Sequence, residues 1–134
     1  MEQAMSVTFY PAQYVSDPRW GSVLDCVDVG EDIPVNLANA NALRVLESLG
    51  LPPTCDEQSC DLVGESDPSA FLGRVLLAQG LAPYDEEMPA YQLPGDGATV
   101  WQGARHAGYM QEKLRLLEEL AAFCAAQGYI VAWA

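Results

Sequence analysis

The chain has 134 residues, half of them hydrophobic, and its 19 acids against 6 bases leave a formal net charge of −13. That length suits one domain spanning 1–134 and would starve a second core, while the apolar content argues against disorder. The charge disfavours non-specific contact with DNA, RNA or anionic lipid, whose phosphates need clustered Lys and Arg, and favours a basic protein surface or a divalent cation, with solubility as the plain alternative.

Met1-Glu2-Gln3-Ala4-Met5 places an acid where a secretory signal carries Lys or Arg, and no apolar stretch follows, so a cytoplasmic location is expected. No run approaches the roughly 18 apolar residues of a membrane span. Ser6-Val7-Thr8-Phe9-Tyr10 alternates and stops at Pro11, which predicts a short strand. Val23 to Val29 alternates in part, with Asp25 and Asp28 marking it as an edge strand closed by Gly30.

Val35 to Gly50 predicts a helix. Leu43, Leu46 and Leu49 keep helical spacing, Gly50 is placed to end it, and Asn36 or Asn39 can cap its start. A helix beginning just after Asn36 puts Asn36, Asn39, Leu43 and Leu46 on one face, so an asparagine amide turns inward. It then holds neighbouring backbone or meets a ligand. Leu51-Pro52-Pro53-Thr54 is a stiff connector, and Cys55 to Asp67, with five acids, reads as a loop. Asp67-Pro68 reads as cap and first turn of a helix running to about Gln79. It buries Phe71, Leu72, Val75 and Leu76, and Gly80 stops it. Leu81 to Gly97 reads as a surface loop with an extended piece at Tyr91-Gln92-Leu93, and Thr99-Val100-Trp101 as a strand.

From Tyr109 to Ala126, Met110, Leu114, Leu117, Ala121 and Cys124 recur at steps of four and three, the buried stripe of an amphipathic helix. Arg115 and Glu119 can pair on its polar face. Gly128 ends it, and Tyr129 to Trp133 predicts a terminal strand inserted beside residues 6–10. The fold class expected is therefore α+β, about three helices with a small sheet, a long C-terminal helix leading into the last strand.

Val35-Asn36-Leu37-Ala38-Asn39-Ala40-Asn41 leading into Leu46 and Gly50, with the closing helix and Trp-containing strand, resembles small acidic proteins of bacteria and their phages. The resemblance implies a source class and carries no activity or site residue.

Candidate chemistry is sparse. Cys55 and Cys60, with Asp56, Glu57 and Asp61 nearby, form the best metal candidate, but their spacing is wider than in usual zinc sites and two more ligands must come from elsewhere; an acidic loop is the preferred reading. His106, the single histidine, is the one available base for a nucleophilic Cys or Ser. A hydrolase using His106 with a loop cysteine is the alternative reading, and a structural or accessory subunit another. Cys26, Cys55, Cys60 and Cys124 are expected as free thiols, and no cofactor is expected. Tyr84, Asp85, Glu86, Glu87, Met88 and Tyr91 combine aromatic anchors with acids, as Asp56, Glu57 and Asp61 add acids alone, and both groups suit a basic protein partner. The leading expectation is a non-enzymatic binding module, in its sharper form an inhibitor that imitates nucleic acid.

Overall fold

One long strand organises the protein. The computed structural model describes residues 6–55, 62–81, 91–93, 100–102 and 108–134, and in it β1 runs from Ser6 to Asp17. Val7, Phe9 and Pro11 are buried on one face of β1, while Ser6, Thr8 and Tyr10 alternate onto the other. The expected stop at Pro11 is thus corrected, and the pairing explains why. β3 (Val35–Ala38) pairs with β1 from Ser6 to Phe9, and β2 (Gly21–Cys26) pairs on the same side from Ala12 to Asp17. Pro11 falls between them, where the ladder is interrupted, so its missing N–H costs little; its carbonyl accepts from Val27 N at 3.0 Å.

The turn into β2 is an Asx turn: Asp17 Oδ1 accepts from Arg19 N at 2.7 Å and Trp20 N at 2.9 Å. On the other side of β1 lies β7 (Ile130–Trp133), antiparallel, from Phe9 opposite Trp133 to Ala12 opposite Ile130. The terminal strand therefore does insert beside the first. Thr8 and Ala134 exchange two further backbone bonds. β4 (Gly64–Ser66) pairs with β7, giving the order β2-β1-β7-β4 with β3 also on β1. This corrects the reading of residues 55–67 as loop throughout: a bridge joins Cys55 to Leu62, and β4 follows. Separately, β5 (Tyr91–Leu93) and β6 (Val100–Gln102) form an antiparallel pair.

Three helices, α1 (Asn39–Ser48), α2 (Pro68–Leu81) and α3 (Tyr109–Gln127), cover the face bearing Val7, Phe9, Val35, Leu37, Val131 and Trp133. The fold is α+β. α1 starts later than expected because Val35-Asn36-Leu37-Ala38 pairs as a strand, and Ala38, not an asparagine, stands at the cap with no side-chain bond. The later start rotates the buried stripe to Asn41, Ala42, Val45 and Leu46, and leaves Leu43 exposed. Gly50 takes φ 70°, as the end of that helix requires. α2 has Asp67 as its cap, Oδ2 accepting from Ala70 N at 3.0 Å, and continues through Gly80 to Leu81. Its buried stripe is Phe71, Val75 and Ala78, with Leu76 outside it. In α3 every expected stripe residue is buried, and Arg115 Nη1 lies 2.8 Å from Glu119 Oε1. Among the described residues no helix is long and apolar enough to cross a membrane.

Candidate protein interface

Charge is unevenly shared between the two layers. The three helices hold four bases, Arg44, Arg74, Lys113 and Arg115, against four acids, Glu47, Glu112, Glu118 and Glu119. The described strands and connections hold seven acids, Asp17, Asp25, Asp28, Glu31, Asp32, Glu65 and Asp67, against Arg19 alone. The helical layer is balanced; the sheet and its loops carry the surplus. Asp25, Asp28, Glu31 and Asp32 crowd into the end of β2 and the connection after it, all exposed and, among the described residues, without an ion pair. Arg74 is turned to the C-terminal end of α1, where its Nη1 donates to Leu49 O at 2.9 Å.

The sheet face opposite the helices carries the polar groups. Register places Tyr10, Ala132 and Glu65 in one row across β1, β7 and β4, and Tyr14 opposite Leu24. The Tyr14 hydroxyl donates to the Glu65 carboxylate. That bond raises the Tyr14 phenol above its ordinary value, and burial, then Cys26 and Glu65, raises Tyr10. Both phenols therefore stay protonated donors near neutrality. Beside them Tyr10, Leu24, Gly64 and Glu65 line a shallow hollow of about 320 Å³. Beyond Ala12, where β7 stops, β1 and β2 continue as a two-stranded ribbon. It bears Tyr14, 53% exposed, and at its turn Trp20, 74% exposed.

Asn36 lies on the open face, its Nδ2 donating to Thr8 Oγ1 at 2.8 Å and Ser6 Oγ at 3.1 Å. Asn39 begins α1, half-buried. The asparagine that turns inward is Asn41, 4% exposed, whose Nδ2 reaches the Tyr109 hydroxyl at 3.4 Å. Cys55 is an exposed free thiol, as is Cys26, and Cys124 is free and buried. Tyr91 lies in β5. Asp56, Glu57, Cys60, Asp61, Tyr84, Asp85, Glu86, Glu87, Met88 and His106 lie outside the described residues. Among the described residues no three His, Cys, Asp or Glu side chains gather to hold a metal ion.

Trp20, one of three tryptophans expected mostly in the core but able to anchor an interface, is exposed, whereas the sequence does not single out Tyr14 and Glu65 as site residues. Glu65 was hidden in a stretch read as loop, and Tyr14 lay past a proline read as the strand's end. The Asp-Pro-Arg-Trp-Gly turn was the available signal, since Asp17 and Gly21 frame a tight reversal that must expose its central residues.

These features define an α+β protein with a five-stranded antiparallel sheet, helices over one face, and Thr8, Tyr10, Asn36 and Glu65 on the other. No family model matches the chain, and neither does any curated protein or solved structure.

Proposed function

We propose that this protein is a non-enzymatic acidic binding module whose strands and loops engage a basic surface on a partner protein, with no cofactor. Its sharper form is an inhibitor, of bacterial or phage origin, that occupies the nucleic-acid site of its target. The observation that supports this reading is the division of charge among the described residues: helices in balance, strands and connections with seven acids and one base. Acids held together with no ion pair among the described residues raise the local negative potential and steer a cationic partner. Solubility alone would be served by acids placed anywhere.

The test is capture from the native host on immobilised protein, with retained proteins identified and then washed in ~0.5 M salt, where the screening length falls to a few ångströms. The reading predicts retention of one or few basic proteins, released by salt and competed by duplex DNA if the site is shared with nucleic acid. Retention that salt does not weaken would point to apolar contact and contradict it.

A further inference from the structure

We propose that the partner docks on the free edge of β2 by contributing a basic segment, in extended form, as an added strand. This rests on the basic-partner reading above and says where and how the contact is made. Among the described residues β2 has one neighbour, β1. The Val27 N to Pro11 O bond, 3.0 Å, makes that pair a hydrogen-bonded one. Bonded pairs alternate along an antiparallel ladder, so Gly21, Val23 and Asp25 turn their backbone groups to β1. Ser22, Leu24 and Cys26 turn theirs outward, a row of N–H and C=O groups that no strand among the described residues receives. Of the six residues of β2 only Val23 is half-buried; the rest are exposed.

Such an edge is ordinarily a hazard, because any strand can pair with it. Here the charges discriminate. Asp17 and Asp25 flank the edge, Asp28, Glu31 and Asp32 follow it, and Arg19 is the one base between Ser6 and Leu43. A second copy of this edge would bring acid against acid and is repelled. A Lys- or Arg-bearing strand is attracted by the same groups, so one arrangement rejects self-association and selects a basic segment. Backbone bonds supply affinity, the acids supply selection, and Trp20 at the turn supplies an aromatic anchor.

The probe is a fluorescent peptide of about ten residues alternating Lys and Val, used at low salt, with a second version N-methylated at every residue so that neither edge has donors. The proposal predicts that N-methylation weakens binding at least about tenfold, the scale of one or more lost hydrogen bonds. Ser22→Pro, which removes an outward donor and leaves the β1 ladder whole, should do the same. Amide exchange at Ser22, Leu24 and Cys26 should slow on binding, while Val23 and Asp25, already bonded to β1, change little. Equal affinity for both peptides with no slowing in β2 would overturn the docking edge and leave the acidic-surface reading standing. Failure of both lysine peptides to bind would overturn both. The N-methylated peptide keeps the test independent of whether Ser22→Pro folds.

Discussion

Gly64 and Trp133 meet where β4 joins β7. A Cβ placed on Gly64 would collide with Trp133 Cζ2, so the strand runs there without a side chain. Trp133 is itself 4% exposed, and its indole N–H has no partner among the described residues. The ring packs against both Phe9 and Phe71, at centroid distances of 5.6 and 6.0 Å. Gly64→Ala should therefore lower stability by about 2 kcal/mol, the range for overpacking a filled core, measured by urea denaturation. Unchanged stability would mean that β4 does not lie against Trp133.

Cys124 provides a titration with a defined sign. Burial raises its thiol from 9.0 to about 11 in the folded protein. Below pH 9 the thiol is protonated in both states and nothing is lost. Between about pH 9 and 11 the unfolded chain ionises first, so stability falls, by about 2 kcal/mol across the window. Tyr10 and Tyr14, raised from 10.0, act in the same direction as pH climbs past 10.0. Comparison with Cys124→Ala separates the thiol: the stability difference between the two proteins should shift by that amount from pH 8 to 11. A constant difference would place the thiol in contact with water.

At the scale of elements, α2 separates what packing requires from what sequence offers. Asp67→Ala removes the acceptor for Ala70 N and should cost about 1 kcal/mol. Val75, fully buried, should cost at least about 1.5 kcal/mol when cut to Ala, whereas Leu77→Ala, at a side chain 64% exposed, should stay within about 0.5 kcal/mol. Similar costs for the two would show that another surface covers Leu77.

The same elements show what the sequence made legible. α3 was readable because five stripe residues repeat over four turns, a local signal that tertiary contacts only reinforce. The β3–α1 boundary was not. Val35-Asn36-Leu37-Ala38 alternates for four residues and fits either state, and the choice is made by pairing with Ser6 to Phe9, some thirty residues earlier. β4 is harder still, since Gly-Glu-Ser has little strand preference and is held there by β7. The site followed these errors. Asn36 was assigned to a helix because its strand was invisible, and Glu65 was left in a loop for the same reason.

At the scale of the whole molecule, the sum of charge was plain from composition, but its distribution depended on which segments became helix and which strand. The helices absorbed four of the five described bases, and that partition is a property of the fold. It yields a direct comparison at equal net charge. One variant neutralises Asp25, Asp28, Glu31 and Asp32 as Asn or Gln. The other neutralises Glu47, Glu112, Glu118 and Glu119 as Gln.

Affinity for the unmethylated lysine–valine peptide, read at low salt, should fall at least about tenfold in the first variant and less than about twofold in the second. Equal losses in both would mean that only the total charge matters and that the acidic strands and loops are not a binding surface.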